Sequence, residues 1–274
     1  MSETMQVQPA ARGVAASEAW YARVGLPVPG TMSDLLHLMG AEDVDVQLTD
    51  GLAVSIRQLH TDATLFHEGA VAEAIYFVRA GTFKCLQTAE DGYEQVFGFA
   101  CRGDVLGFDA ICAGKHPSAA VALEDSSVYV LPLRELIGLS ARIPALNRVL
   151  HFAVSRELTR RGEVADVMAA VGAEVRLSRF LIQLSGRMAA CGQSPRRVVL
   201  RMCRRDIASH LGVAHETVSR SFSALAERGY LRVHNREVEI LDIDGLRETS
   251  RSTRGLTDEP GSLSGSTSGK KREL

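Results

Sequence analysis

Short apolar runs separated by turn residues fill the chain between residues 54 and 133. Glycines divide these runs, and one of the dividing turns is the pair Asp91-Gly92. Runs of about four to eight residues at regular spacing are typical of β-strands, and no helical stretch alternates with them. The pattern therefore predicts an antiparallel barrel or sandwich rather than a doubly wound sheet. Four of the predicted strands occupy residues 74–78, 83–86, 96–99 and 128–131.

After Pro144 the spacing of apolar residues lengthens to three or four. This period predicts one helix of about 25 residues with an apolar stripe along it. Such a helix, placed between a small barrel and a second module, has little partner surface within one chain. We therefore predict a parallel coiled-coil dimer seam, with a helix packed wholly on its own barrel as the alternative. The residues expected in the seam are Leu150, Val154, Leu158, Val164 and Met168.

Residues 203–225 carry the most specific pattern of the chain. Two apolar faces flank Gly212, which permits a tight turn between two helices packed near a right angle. The members of these faces are Ile207, Ala208 and Leu211 on one side and Val218, Phe222 and Leu225 on the other. This is a predicted helix-turn-helix, whose second helix enters the major groove of DNA with its N-terminal end. The predicted DNA contacts of that helix are His215, Glu216, Thr217, Ser219 and Arg220.

Three of these side chains have the chemistry that reads base edges. Arg220 can bond guanine O6 and N7 together, Glu216 can accept from cytosine N4, and Ser219 can bond or pack against several edges. The alternative for Glu216 and Arg220 is an intrahelical salt bridge on a solvated face, worth only about 0.2–0.5 kcal/mol. We favour base reading, because these residues lie at the correct end of a helix-turn-helix.

Two alternating runs around Asn235 predict a β-hairpin, the wing of a winged helix-turn-helix. Arg232 and Arg236 on the wing are predicted to bind DNA irrespective of its sequence, and Arg205 is a further predicted DNA contact. Charge is consistent with this, because residues 174–240 hold 12 Arg against 6 Asp and Glu in a chain of net charge −2. A basic segment on an acidic chain is a candidate nucleic-acid module, and a solvated arginine-rich surface is the alternative.

Composition bounds the class of protein. The 274 residues are 46% hydrophobic and 23% charged, which excludes a wholly disordered chain and a histone-like polycation. No apolar run approaches the roughly 18 residues of a membrane span and no signal peptide is evident, so a soluble cytoplasmic protein is expected. Five cysteines without a CxxC pair indicate reduced thiols and no metal site. We expect no enzymatic activity.

The order of these parts resembles the Crp/Fnr family of bacterial transcription regulators. The most specific stretches are residues 65–132, from LFHEG to YVLP, and LGVAHETVSR at residues 211–220. The resemblance spans residues 50–245 and implies an α+β fold. Its parts are an N-terminal cyclic-nucleotide-binding-like β-roll of the jelly-roll type, a long dimerisation helix and a C-terminal winged helix-turn-helix. It also implies a homodimer, with promoter DNA and RNA polymerase as partners.

The DNA-reading segment is most similar to the Fnr branch of the family. The resemblance implies that Glu216, Ser219 and Arg220 read a TTGAT-type half-site, whereas the cyclic-AMP receptor branch has Gly at the position of Ser219. Two positions depart from the family pattern, because Cys203 and Ala214 stand where Ser or Thr usually caps a helix. An uncapped helix start costs about 1 kcal/mol.

Five segments make up the predicted organisation. The last segment is rich in Ser, Gly, Thr and charge and cannot form a core. The segments are a flexible arm at 1–30, a sensor domain at 31–140, a dimerisation helix at 141–172, a winged helix-turn-helix at 173–246 and a disordered tail at 247–274.

The resemblance also indicates which ligand the sensor domain is not expected to bind. In the family's nucleotide pocket a Glu holds the ribose and an Arg-Ser pair holds the cyclic phosphate. Here Phe108 and Pro117 stand at the Glu and Arg positions, and only Ser118 remains. A buried phosphate without its cation is strongly disfavoured by desolvation, so cyclic AMP is not expected. Lys115 and His116 as substitute donors are the alternative.

Iron-sulfur sensing is not expected either. A [4Fe-4S] cluster needs four thiolates, but no cysteine precedes Cys85, and Tyr129 stands at the barrel position that matches a cluster ligand. The thiols are interpreted as buried core residues, with Cys112 or Cys191 as a redox-modified thiol if exposed. Haem stays open, and its candidate axial ligands are His60, His67, His116 and His151. The signal is thus undetermined: a direct redox, haem or gas sensor is the alternative within the class, and a cyclic-nucleotide-binding signalling module is the alternative outside it.

Overall fold

The computed structural model describes residues 28–190 and 192–251. Residues 1–27 of the predicted arm, Cys191 and residues 252–274 of the predicted tail lie outside the described residues. The described chain forms an N-terminal β-roll, one long helix and a C-terminal domain of helices with a small sheet, which confirms the predicted α+β class. None of the helices in these ranges combines the length with the apolar composition that crossing a bilayer requires.

Two antiparallel sheets form the β-roll. The larger sheet contains, in spatial order, β1 (Val28–Thr31), β2 (Ala53–Leu59), β9 (Ser126–Pro132), β4 (Ala74–Ala80) and β7 (Val105–Leu106). The smaller sheet contains β3 (Thr64–Phe66), β8 (Ala119–Ala122), β5 (Thr82–Thr88) and β6 (Glu94–Cys101). Phe83, Val128 and Val130 are buried in the core that strands of both sheets share. The four predicted strands lie within β4, β5, β6 and β9, so the prediction from alternation is confirmed.

Gly81 lies where the chain crosses from the larger sheet to the smaller one. Its φ is 89°, a left-handed conformation that side chains rarely adopt. A Cβ atom at this position would lie 2.0 Å from Oγ of Ser126. Only glycine therefore permits this close crossing beside β9.

Helices cover the outer face of the larger sheet. They are α1 (Met32–Leu38), α2 (Val46–Thr49) and α3 (Leu133–Arg142), followed by the long helix α4 (Pro144–Ala169). Leu35 of α1 and Leu146 of α4 are fully buried in one cluster with Phe77 of β4. Proline opens α4, where its missing N–H costs no hydrogen bond, and the helix runs for 26 residues as its period predicts.

The β-roll covers only part of α4. Val149 and Ala153 are buried against the roll, whereas Phe152 and Leu158 are 61% and 66% exposed. A helix packed wholly on its own barrel, the alternative to a dimer seam, is therefore not what the described chain forms. Apolar side chains of α4 therefore remain uncovered by their own chain.

The C-terminal domain is a winged helix-turn-helix. Its helices are α5 (Ala173–Ala190), α6 (Arg204–Leu211), α7 (His215–Glu227) and α8 (Ile243–Arg251). Its antiparallel sheet contains β10 (Arg197–Val199), β12 (Glu237–Ile240) and β11 (Leu231–His234) in that order. The fully buried residues Leu177, Leu181, Ile207 and Leu225 lie in its core.

Two predicted boundaries are wrong. Strand β1 begins at Val28 and pairs with β2, so residues 28–30 belong to the β-roll and not to a flexible arm. Helix α8 ends at Arg251, so residues 247–251 are helical and not part of a disordered tail. Thr249 is fully buried, although the composition of residues 247–274 indicated no core, and with Leu246 just before this segment it anchors α8.

Candidate nucleic-acid interface

Gly212 sets the angle between α6 and α7. It adopts a left-handed conformation with φ 61° and ψ 41°, and its N–H donates to carbonyl groups near the end of α6. A Cβ atom there would lie 2.8 Å from Cε of Met168 at the end of α4. Glycine is needed at this turn for its conformation and for the close approach.

Helix α7 is anchored by one face and leaves the other uncovered. The buried face contains Val218, Phe222 and Leu225. Thr217 is half-buried, and the exposed residues are His215, Glu216, Ser219 and Arg220. In the part of the chain that the structure describes, no salt bridge engages Glu216 or Arg220. The intrahelical pair that was the alternative to base reading does not form, so both charged groups are available to a ligand.

The other predicted DNA contacts differ in their surroundings. Arg205 on α6, His215 on α7 and Arg236 in the wing turn line one groove, whose other side is formed by β-roll residues such as Tyr93 and Glu94. Arg232 instead lies 2.6 Å from the Glu239 carboxylate on the neighbouring strand of the wing. The structure thus places Arg205 and Arg236 at a groove beside the start of α7, whereas Arg232 is engaged within the wing.

The starts of the two helices are capped differently. The Cys203 thiol accepts a hydrogen bond from the Asp206 N–H at 3.4 Å, and the Asp206 carboxylate accepts one from the Cys203 N–H at 3.0 Å. This reciprocal pair is a capping box in which sulfur replaces a hydroxyl. The prediction of an uncapped α6 is therefore wrong. Ala214 provides no side-chain cap to α7, as predicted.

One face of α6 packs on the β-roll. The Ser209 hydroxyl donates to the Glu94 carbonyl at 2.7 Å and accepts the Val96 N–H at 2.9 Å. Beside it, Lys84 Nζ on β5 lies 3.1 Å from the Asp206 carboxylate. These contacts hold the first helix of the helix-turn-helix against β5 and β6.

His210 is enclosed by aromatic rings at the same interface. Its ring centroid lies 5.3 Å from that of Phe99 on β6 and 5.5 Å from that of Phe180 on α5. Its Nδ1 has no hydrogen-bond partner among the described residues. Burial lowers the pKa of His210; hydrogen bonding to the backbone of Val96 and Phe97 opposes this effect without reversing it, and the positive charge of Arg187 adds to it. The imidazole is therefore neutral near pH 7, and a proton on it would place a charge without a carboxylate partner in the interface.

We expect the midpoint of thermal unfolding to fall as the pH is lowered from about 7 to 5. A histidine whose folded pKa is lowered takes up its proton first in the unfolded chain, so the stabilisation present above its ordinary pKa of about 6.5 is lost below that pH. The loss is at most about 1.4 kcal/mol per pH unit for each such histidine.

The matched variants for this pH test are His210→Gln and His67→Gln, because His67 is exposed. His210→Gln should reduce the slope of the unfolding midpoint against pH, and His67→Gln should leave that slope unchanged. Part of the slope should remain in His210→Gln, because burial also lowers the pKa of His116. An unchanged slope in His210→Gln would contradict the assignment.

Asp104 connects three parts of the molecule. Its carboxylate pairs with Arg160 of α4 and with Arg187 of α5, and it accepts the Cys101 N–H at 2.8 Å. Arg187 also donates to the Phe99 carbonyl of β6 at 2.9 Å. The β-roll, the long helix and the C-terminal domain therefore share one ion-pair network.

The sequence prediction missed the contacts of α6 with the β-roll. Asp206, Ser209 and His210 have the spacing of one polar helix face, which was the available signal. Polar faces usually meet water, so the signal alone predicts exposure. All three residues are buried in the structure.

A cavity of about 430 Å³ lies between the β-roll and α4. Phe108 and Pro117, which the resemblance places at nucleotide-binding positions, line it. The alternative phosphate donors Lys115 and His116 are not among its lining residues. Lys115 is exposed, and the buried His116 ring stacks on Phe66 with centroids 3.9 Å apart.

The thiols and histidines considered for redox or haem chemistry are dispersed. Cys112 is exposed in a loop, and burial raises the pKa of the Cys85 thiol in β5 to about 12. Three of the four candidate haem ligands are exposed, namely His60, His67 and His151. None of the four lines the cavity. Within the described ranges, no group of three or more His, Cys, Asp or Glu side chains is placed to hold a metal ion.

The predicted seam residues have different surroundings in the single chain. Leu150 packs partly against the roll core, Val164 lines the cavity, and Met168 is partly exposed near the helix-turn-helix. The large apolar residues exposed in the middle of α4 are Phe152, Val154 and Leu158. Val154 and Leu158, four residues apart, lie on one face of the helix and form a stripe that is available to a second copy of the chain, whereas Phe152 lies on a different side.

The β-roll, the long helix with its uncovered stripe and the winged helix-turn-helix together have the architecture of DNA-binding transcription regulators with a sensor domain. Residues 175–249 match the family described as the Crp-like helix-turn-helix domain, and residues 56–142 match the cyclic nucleotide-binding domain. Both matches coincide with the domains that the structure shows.

Named relatives identify the family. The transcriptional regulatory protein btr of Bordetella pertussis is 37% identical over 204 residues, which are 74% of this chain and 84% of that protein. The fumarate and nitrate reduction regulatory protein of Escherichia coli is 35% identical over 207 residues, 76% of this chain and 83% of that protein. FixK2 from Bradyrhizobium japonicum superposes with a TM-score of 0.66 at 27% identity, covering 73% of this chain and 99% of that one. The chain belongs to the Crp/Fnr family of DNA-binding transcription regulators, which bind promoter DNA and act as dimers.

Proposed function

We propose that this protein is a homodimeric regulator that binds a palindrome resembling TTGAT-N4-ATCAA. The observation that carries the proposal is the uncovered face of α7, where Glu216, Ser219 and Arg220 are exposed together. Their spacing places them on one side of the helix. Two such helices related by a two-fold axis enter successive major grooves about one turn apart.

A gel-shift titration at physiological salt tests this function. We expect binding to the palindrome that is roughly a thousandfold or more tighter than binding to a scrambled sequence of the same length. The protein is used without added cyclic AMP or iron. Equal affinity for the two DNAs would overturn the proposal.

Arg220→Ala should lose about 1–3 kcal/mol of binding to the palindrome while its binding to scrambled DNA changes little, because it removes a base contact. Arg236→Ala is the matched control, since Arg236 is an exposed arginine in the wing turn. Arg236→Ala should weaken binding to the palindrome and to scrambled DNA by the same factor. Competition titrations separate the two outcomes, and an equal loss on both DNAs in Arg220→Ala would refute its role as a base reader.

We further infer that the promoter-bound dimer acts in the cytoplasm by contacting RNA polymerase, and that its DNA binding requires neither cyclic AMP nor a [4Fe-4S] cluster. Phe108 and Pro117 support independence from cyclic AMP, because neither supplies a charged group to the cavity. Independence from a [4Fe-4S] cluster is supported by the separation of Cys85, Cys101 and Cys112 over different elements of the β-roll.

A further inference from the structure

The cavity between the β-roll and α4 has largely apolar walls. Its volume of about 430 Å³ lies within the range of small-molecule sites, roughly 300–1,000 Å³. Phe97 and Phe99 of β6 form one side, and Val164 of α4 faces the cavity from the long helix. Leu106 and Phe108 contribute further apolar surface. A ligand in this cavity would exchange water mainly for aromatic and aliphatic contacts.

The cations at the cavity already have carboxylate partners. Arg160 pairs with Asp104 and lies 3.4 Å from Glu157, and Arg161 lies 3.3 Å from Glu157. Asp109, which also lines the cavity, has no ion-pair partner among the described residues. A cyclic phosphate would therefore meet no free cation and one unneutralised carboxylate. Releasing Arg160 from Asp104 would be costly, because these side chains are only 22% and 11% exposed. The Arg161–Glu157 pair is more solvated, but it leaves the charge of Arg161 already partnered.

The remaining polar side chains at the cavity, those of Cys85, Gln87 and Ser118, are uncharged. Burial raises the pKa of Cys85 to about 12, so its thiol stays protonated at neutral pH. The Gln87 side-chain amide donates to the Pro117 carbonyl at 2.6 Å. These groups present no charge to a ligand.

The geometry points to a binding site for a small neutral apolar molecule in place of the cyclic nucleotide that the domain family is named for. This inference deepens the proposed regulator by naming the chemical class of its signal, and it rests on that function only for the regulatory consequence. An occupant would contact α4 beside Arg160, whose partner Asp104 also holds Arg187 of the DNA-binding domain. Binding itself is independent of DNA.

Two fluorophores with the same aromatic skeleton test the ligand class on the full chain without DNA. N-phenyl-1-naphthylamine is neutral, and 8-anilino-1-naphthalenesulfonate carries a sulfonate. A Cβ atom at Gly98 meets no atom within 4 Å, and Gly98 lines the cavity, so Gly98→Leu fills it. Gly186→Leu on α5, which has the same open space outside the cavity, is the control. Phe97→Lys, at a position that is 41% exposed, is a second cavity variant that leaves the core intact.

The neutral probe should bind saturably, at least tenfold more tightly than the sulfonate, and cyclic AMP should not displace it. Its dissociation constant should rise at least tenfold in Gly98→Leu and in Phe97→Lys and stay unchanged in Gly186→Leu. Displacement by cyclic AMP, tighter cavity binding of the sulfonate, or unchanged affinity in both cavity variants would overturn the inference. Because no DNA is present, each of these results is separate from the gel-shift test of the proposed function.

Discussion

Leu158→Asp should convert the protein into a monomer that no longer binds the palindrome. Leu158 is 66% exposed on α4 in the single chain, so an aspartate there is solvated in the monomer and the fold is retained. In a seam between two copies of α4 the same carboxylate would be buried without a partner, at a cost of roughly 3–5 kcal/mol. Each half-site would then be bound alone, and affinity for the palindrome should fall by roughly a hundredfold or more.

Sedimentation equilibrium and the gel shift measure these two consequences. Val154→Asp should behave in the same way, because Val154 lies on the same exposed stripe. Ile137→Asp is the control, since Ile137 is 80% exposed on α3 and outside the proposed seam. Intact dimers in both α4 variants would place the interface on another surface.

Asp104→Asn should lower the free energy of unfolding by about 3 kcal/mol. The amide removes the charge that faces Arg187, whose side chain is only 25% exposed, while Asp104 itself is 11% exposed. Burial alone would lower the pKa of Arg187, and the charge of Asp104 with the Cys101 thiol more than reverses this. Without the carboxylate, a largely desolvated guanidinium loses its counter-charge.

Denaturant unfolding followed by circular dichroism measures the loss. Asp125→Asn is the matched control, because its pair with His60 is solvated, with the two side chains 78% and 96% exposed. Such a surface pair contributes about 0–1 kcal/mol. An equally small loss in Asp104→Asn would show that the network shared by Arg160 and Arg187 does not stabilise the fold.

Local signals in the sequence are sufficient to predict α4 and the helix-turn-helix. Pro144 fixes the first turn of α4, and the repeat of apolar residues carries the helix to its observed length of 26 residues. Gly212 and the apolar faces on either side of it determine the angle between α6 and α7. In both cases residues close in sequence supply the deciding contacts.

Contacts between distant segments account for what the sequence did not predict. Ser209 and His210 are polar residues on a helix, and their burial depends on strand β6, more than a hundred residues earlier in the chain. The sequence predicts a missing cap at Cys203, which stands where Ser or Thr is usual, yet its sulfur, a weak acceptor, accepts the Asp206 N–H. Residues 247–251 are polar in composition, and Thr249 alone among them is fully buried.

Strand β6 is the last strand of the smaller sheet, so one row of its peptide groups has no strand of the described chain beside it. In that row the Ser209 hydroxyl donates a hydrogen bond to the Glu94 carbonyl and accepts one from the Val96 N–H. An open sheet edge is a template for pairing with another chain. A DNA-binding domain that moves away from the β-roll therefore uncovers a site for strand exchange or aggregation. In this chain, freedom of the DNA-binding domain and resistance of the β-roll to self-association are opposed properties.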